Sequence, residues 1–381
     1  MAYVRGYHVR LDGVWPGEWI GGVYSMEVTE ALKLVRPCIQ ELYGYTPGKQ
    51  LAGGGYIKLN TNENPYPPSP RVIEALRQVQ GADLRLYSDP VATPLCATAA
   101  RLVGCDIEQV IAGNGSDDIL TMIFRTFLDA GDVVATAAPS YSLYNTLGAM
   151  QAARFVEVPM GPDYTLPPDL HTCGAKLMLI VNPNSPTGVL FSQPDLRSLL
   201  DKSQCIVVLD EAYAEFAGES AIDLLADYPH LIVTRTFSKS YALAGLRLGL
   251  GFAHPEIIQQ LMKVKDSYNL DRLAIAAGCA ALEDQEWLKE ITDKIIRTRT
   301  RMLTELEAIG LFVPPSRSNF VFPRIPNGRA KEVFEALESR RILVRYFGSL
   351  PMIADSLRVT VGTDEETDIF LEALKEILQG K

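Results

Sequence analysis

Lys239 is the residue in this chain whose neighbours best suit covalent chemistry. It lies in the segment Thr236-Phe237-Ser238-Lys239-Ser240-Tyr241-Ala242-Leu243-Ala244-Gly245-Leu246-Arg247-Leu248-Gly249, just after the apolar run Leu231–Thr234. A lone lysine after a strand is usually a solvated surface charge. Here Ser238, Lys239 and Arg247 place a hydroxyl, an amine and a guanidinium within ten residues, and Gly245 and Gly249 permit close backbone approach. A lysine amine joins an aldehyde cofactor reversibly as a Schiff base. Once released, the same amine can shuttle a proton to and from a neighbouring carbon. Arg247 offers a phosphate a planar fork that stays charged, and Ser238 offers the same phosphate a hydroxyl.

Three further constellations could serve such a cofactor. Val207-Val208-Leu209-Asp210-Glu211-Ala212-Tyr213 ends an apolar run on an acid. A buried aspartate is costly without a partner, and a protonated pyridine nitrogen is one such partner, which keeps the ring an electron sink; a helix cap is the plainer use. Tyr213, three residues on, could donate to a phenolic oxygen of the ring. Gly113-Asn114-Gly115-Ser116-Asp117-Asp118 precedes an amphipathic stretch, so its N–H groups could bind phosphate at a helix start, or simply cap the helix. It is not a P-loop, because no Gly-Lys-Ser/Thr follows. In Pro139-Ser140-Tyr141 the aromatic could stack on a planar ring or fill core space.

The elements that must hold these residues are legible as a pattern. Short apolar runs at 110–112, 133–136, 154–158, 177–181, 206–209, 231–234 and 248–252 read as strands. Helical stretches are expected at about 26–43, 70–80, 91–103, 117–128 and 194–200. This alternation predicts an α/β fold with a mostly parallel central sheet covered on both faces. The polar residues gather after strand ends, where open α/β sheets bind ligands. A long helical segment is expected over 272–309 with Arg297, Arg299 and Arg301 on a polar face, followed by strand 320–322, helix 330–338, strand 357–361 and helix 366–374. The predicted division is an arm or segment at 1–50, a large domain at 51–285 and a smaller α+β domain at 286–381.

Composition narrows the function classes. The chain has 381 residues and a formal charge of −10, which disfavours a nucleic-acid partner. Six dispersed cysteines without a CxxC pair suit reduced thiols in a cytoplasmic protein. Four scattered histidines argue against a histidine metal site, and no metal is expected. The N-terminal residues lack the apolar stretch of a signal peptide, and no segment reaches membrane-spanning length, so no membrane partner is expected.

Taken together, LNTNENPYPPSP (59–70), GNGSDD (113–118), PSYSLY (139–144), NPNSPTG (182–188), DEAYAEF (210–216), TFSKSYALAGLRLG (236–249), RILVR (341–345) and LRVTVGT (357–363) resemble the fold-type I enzymes that use pyridoxal 5'-phosphate (PLP). Within them, the chain is most similar to the histidinol-phosphate aminotransferases over roughly residues 34–378. The resemblance implies that Lys239 carries PLP, that Asp210 pairs with its pyridine nitrogen, that Tyr213 contacts its phenolic oxygen and that Tyr141 stacks on its ring. Ser116, Asp117, Ser238 and Arg247 would hold the cofactor's phosphate. Tyr87, in Arg85-Leu86-Tyr87, matches a tyrosine that reaches the partner subunit's phosphate, which implies a homodimer with shared active sites. Arg358 matches the arginine that grips the substrate's acidic group. Arg345 matches the one used for a substrate phosphate. The implied reaction interconverts L-histidinol phosphate plus 2-oxoglutarate and imidazole-acetol phosphate plus L-glutamate.

Two positions depart from the family pattern. Where an asparagine usually precedes Pro-Thr-Gly this chain has Ser185, with Asn184 one place earlier. Asn184 is expected to contact the phenolic oxygen through a backbone shift, with a weaker bond from Ser185 as the alternative. Near the N-terminus, Arg36-Pro37 is followed by Cys38, and Tyr45 arrives late as the aromatic expected to close over the substrate. An aromatic amino-acid aminotransferase and a threonine-phosphate decarboxylase are the rivals of the same fold. An NAD-dependent oxidoreductase would need a glycine-rich loop of another form, and a scaffold protein would have no use for Lys239, Asp210 and Arg247 together.

Overall fold

The computed structural model describes residues 28–42, 44, 55–161 and 163–380. The helices Val28–Lys33 and Pro37–Gln40 belong to a separate compact unit that ends at Glu41. One helix was expected over 26–43. Pro37 instead starts a second helix at its first turn, where a missing N–H costs nothing, and Gln40 Nε2 caps the Val35 carbonyl at 2.8 Å. Tyr45 lies outside the described residues, as do the first 27 residues of the expected N-terminal arm.

From Leu42 onward the chain forms the second unit. Its strands are β1 (Ile57–Lys58), β2 (Val110–Gly113), β3 (Val133–Ala138), β4 (Arg154–Pro159), β5 (Leu177–Val181), β6 (Ile206–Asp210), β7 (Leu231–Thr236), β8 (Gly249–Ala253), β9 (Phe320–Val321), β10 (Ile342–Leu343), β11 (Arg345–Tyr346) and β12 (Leu357–Thr360). Seven of them make one sheet in the order β2-β8-β7-β6-β5-β3-β4. The block from β7 to β4 is parallel throughout, and β8 alone runs antiparallel to both of its neighbours. The expected α/β fold is therefore present, with one reversed strand.

The run Leu177–Val181 shows why this sheet is internal. All five of its residues are buried. Alternate side chains point to opposite faces, so Leu177, Leu179 and Val181 join one core cluster while Met178 and Ile180 join the other. The helix Ser116–Phe127 covers the first face with Ile119, Leu120, Ile123 and Phe124. The helices Thr93–Val103, Gln193–Lys202 and Arg272–Glu283 cover the second. Each such buried side chain contributes roughly 1.5–3 kcal/mol.

The expected long helix over 272–309 is two helices, Arg272–Glu283 and Gln285–Ala308. Asp284 breaks it because its carboxylate accepts from the Trp287 N–H at 3.4 Å and from the Ser69 hydroxyl, which restarts the helix. Arg299 is not on the polar face. It is buried, and its guanidinium donates to the carbonyls of Phe216 at 3.2 Å and Ser318 at 2.8 Å, tying the second helix to residues next to the site. Toward the C-terminus, β9, β11 and β12 form an antiparallel sheet in the order β11-β12-β9, packed with the helices Ala330–Ser339 and Asp364–Leu378. The two-residue strands β1, β10 and β11 carry no periodic signal and were not expected; β1 pairs in parallel with β10.

Candidate active site

The carboxyl ends of β2, β3, β5, β6 and β7 lie along one edge of the sheet, and the reversed β8 begins there. The candidate residues follow these ends directly. Asp210 closes β6, Lys239 comes three residues after β7, Tyr141 three after β3 and Ser116 three after β2.

One side of the site is built to take a phosphate. Gly249 opens β8, and a Cβ there would lie 2.4 Å from the Ser116 nitrogen and 2.5 Å from the Gly115 carbonyl carbon. Only glycine lets the start of the helix Ser116–Phe127 settle on the strand. Arg247, two residues earlier, sits at φ 52°, a left-handed conformation that costs a residue with a side chain about 1–2 kcal/mol. It turns the guanidinium to Ser238, whose hydroxyl accepts from Nη1 at 3.2 Å, and to Asp117, at 3.6 Å from Nη2. A Cβ on Gly115 would come within 2.7 Å of the same Nη2. A guanidinium, a hydroxyl and the N–H groups of a helix start thus converge, a donor set suited to a dianion.

Asp210 defines the other side. It is buried, and its carboxylate accepts from the Tyr144 hydroxyl at 2.7 Å and the Thr234 hydroxyl at 3.3 Å. Burial pushes its acid up to about 6, against the pull of the Tyr144 bond and with a further push from Asp117. The Ala212 backbone N–H also donates to it, and all of these partners are neutral, so the carboxylate gains from a cation such as a pyridinium nitrogen. Sequence reasoning missed Tyr144. Its signal was a tyrosine three residues after Tyr141, at the same helix start, where the two rings pack edge to face at 5.5 Å.

Lys239 stands between. Its Nζ donates to the Thr61 carbonyl at 3.1 Å. Burial drives its amine down to about 8, helped by the positive charge of Arg358 and opposed by Glu63 and Asp117. The loop behind it is pinned by a buried ion cluster: Arg235 pairs with Glu211 at 2.8 Å and Glu215 at 2.7 Å, and Glu215 accepts from Ser240 at 3.0 Å. Tyr141 donates to Asp117 at 3.4 Å. Tyr213 is buried with its hydroxyl accepting from Asn62 at 2.9 Å, and burial raises its phenol above the ordinary value.

The residue facing Tyr213 and Arg358 is Ser185. Its hydroxyl accepts from Arg358 Nη1 at 3.2 Å and bonds with Tyr213. Asn184 serves the loop instead: its amide donates to the Pro139 carbonyl at 3.2 Å and accepts from the Thr187 hydroxyl at 2.7 Å. The expected backbone shift toward the site is replaced by this loop bond. Arg358 and Arg345 are direct cross-strand partners on β12 and β11. Both guanidinium groups lie against the Phe347 ring, at 5.6 and 5.7 Å from its centre. Like charges placed opposite one another repel, a cost that a bound dianion removes. Tyr87 stands apart from this group, 79% exposed and stacked on Tyr268 at 4.4 Å.

An α/β fold with a buried lysine, a donor set suited to a phosphate and a buried acid at its sheet edge fits an enzyme that uses an aldehyde cofactor. PLP fits these residues at both ends. The chain matches the class I and II aminotransferases over residues 55–374 and belongs to that family. It is 45% identical over 346 residues to the histidinol-phosphate aminotransferase of Syntrophotalea carbinolica, covering 90% of this chain and 99% of the relative. It is 44% identical to that of Geotalea uraniireducens, with 90% and 99% covered. The structure of the Sinorhizobium meliloti histidinol-phosphate aminotransferase in complex with PLP superposes with a TM-score of 0.83 at 30% identity, over 90% of this chain and 97% of that one.

Proposed function

We propose that this chain is a PLP-dependent histidinol-phosphate aminotransferase, which interconverts L-histidinol phosphate plus 2-oxoglutarate and imidazole-acetol phosphate plus L-glutamate in histidine biosynthesis. The observation that carries it is the arginine pair Arg345 and Arg358, in register across β11 and β12, with Arg358 near enough to Lys239 to push its amine down. The reading also draws on relatives of that name at 40–45% identity over about 90% of the chain.

When bound, PLP supplies an aldehyde that joins amines and a ring that takes up the electrons of a broken bond. The protein does the rest. Ser238, Arg247 and the N–H groups of Ser116 and Asp117 would hold the phosphate. Asp210 would keep the ring nitrogen protonated, while Tyr144 and Thr234 fix which way its carboxylate faces. Tyr141 would pack on the ring. Tyr213, with Ser185 beside it, would donate to the phenolic oxygen. Lys239 Nζ takes the proton from the amino donor's Cα and gives one to the acceptor's in the return half. Arg358 grips the carboxylate common to glutamate and 2-oxoglutarate, and Arg345 joins it on the second carboxylate or on the substrate phosphate.

The proposal includes a homodimer with shared sites. Tyr87, Leu84, Leu86, Tyr268 and Leu273 are exposed large apolar residues, a group that suits burial against a second copy. Tyr87 would then reach the partner's phosphate cradle. Residues 51–285 would form the cofactor domain and 286–381 the substrate-gripping one. The cytoplasm is the proposed location, in keeping with six free cysteines. No helix among the described residues is long and apolar enough to cross a membrane.

The test is a half-reaction screen of the PLP-loaded protein with histidinol phosphate, phenylalanine and threonine phosphate, read by loss of the cofactor's visible band. Histidinol phosphate should discharge it. Discharge by phenylalanine alone would make the chain an aromatic aminotransferase, and carbon dioxide release from threonine phosphate would make it a decarboxylase.

A further inference from the structure

One short segment reaches the functional groups residue by residue. The Asn60 carbonyl accepts from Arg358 Nη2 at 3.3 Å, and the Thr61 carbonyl from Lys239 Nζ at 3.1 Å. Asn62 Nδ2 donates to the Tyr213 hydroxyl at 2.9 Å. Asn64 Nδ2 donates to the backbone carbonyls of Lys239 and Ser240, each at 3.1 Å. Asn62 acts with its own side chain on a candidate site side chain.

Asn62 is itself fixed from all sides. It is buried, and its φ of 56° is a left-handed value that asparagine tolerates better than most residues. Its backbone N–H donates to Thr360 Oγ1 at 3.0 Å, and the same hydroxyl donates back to Asn62 Oδ1 at 3.2 Å. That exchange turns the amide nitrogen toward Tyr213. The Asn62 carbonyl accepts from Asn319 Nδ2 at 3.0 Å. Thr360 lies on β12, two residues from Arg358.

We propose that Asn62 is a positioning residue that holds the Tyr213 hydroxyl as a proton donor toward the cofactor's phenolic oxygen, and that β12 keeps Asn62 in that orientation. The inference rests on the PLP reading above. A tyrosine oxygen that already accepts from Asn62 presents its one proton elsewhere, and accepting a bond strengthens the one it donates. Its other partner is Ser185. With PLP bound, the phenolic oxygen shares that proton. The charged groups acting on Tyr213 are Arg358 and Asp210, and those acting on Lys239 are Arg358, Glu63, Asp117 and Arg247. None of these is altered in the variants below.

A weaker Tyr213 donor leaves more negative charge on the phenolic oxygen. That charge holds the proton on the Lys239 nitrogen more tightly, so the chromophore titrates at higher pH. The experiment compares PLP-loaded wild type, Asn62→Asp, Asn62→Gly and Thr360→Val by absorbance against pH, with circular dichroism to confirm folding. Asn62→Gly removes the donor and keeps the left-handed backbone, and it should raise the midpoint by about half a unit to one unit, with Thr360→Val raising it by less. Asn62→Asp also removes the donor but adds a carboxylate whose charge raises the midpoint as well, so its rise should exceed that of Asn62→Gly. Should Asn62→Gly fail to fold, Thr360→Val decides. Midpoints equal to wild type in folded, loaded variants would overturn the inference and leave the functional reading intact. A wild-type protein that gives no titrating chromophore with PLP would overturn both.

Discussion

The two ends of the site hold their charges by different means. At the edge of the seven-stranded sheet, Asp210 and Lys239 are controlled by burial, one pushed up to about 6 and the other down to about 8. On the three-stranded sheet, Arg345 and Arg358 are half-buried, in register with one another and laid against Phe347. Burial tunes acidity, which proton transfer needs. Paired guanidinium groups against an aromatic ring supply a charged, planar grip, which recognition needs. On the proposed reading, the chemistry belongs to the first region and the choice of substrate to the second.

The sharpest way to break this division is Lys239→Ala. Turnover should fall by about 10⁴-fold, because the proton carrier is gone, while an equilibrium binding assay with the amino donor changes little. Activity within tenfold of wild type would refute the assignment. A pH measurement sharpens the first half. Cofactor uptake by the PLP-free protein needs the neutral amine. With Lys239 lowered from 10.5 to about 8, the uptake rate should climb by about 50-fold from pH 6 to pH 8 and then level off. A rate still rising tenfold per unit beyond pH 9 would mean an ordinary lysine.

The second half is probed by Arg345→Ala. KM for the phosphorylated substrate should rise by roughly 10- to 100-fold, with a smaller change in kcat. An effect confined to kcat would place Arg345 in the chemistry and blur the comparison. The smallest effect is expected at Tyr87, outside both regions of one chain. Tyr87→Phe should speed PLP release by about tenfold, the loss of one bond to a phosphate, and unchanged release would remove it from the shared-site proposal.

What could be read in advance follows the same division. The sheet-edge residues sit in contiguous motifs, since a strand end and the turn after it place Asp210, Tyr213, Lys239 and Arg247 within a few positions of a recognisable apolar run. The α/β fold was legible for the same reason. Tyr144, Asn62 and the Arg235 cluster were not, because their roles depend on partners far along the chain, such as Asp210 for Tyr144 and Tyr213 for Asn62. Asn184 and Ser185 differ by one position. The bond from Asn184 to the Pro139 carbonyl, which ties Asn184 into the loop, comes from another strand end. Arg299 matched a polar helical face by spacing, yet two carbonyls from neighbouring elements draw it inside.

Reductive trapping tests the central assignment most directly. The PLP-loaded protein is treated with borohydride, digested, and the labelled peptide identified by mass. The account predicts a single phosphopyridoxyl group on Lys239, lost in Lys239→Ala. A label on any other lysine, with Lys239 unmodified, would contradict it.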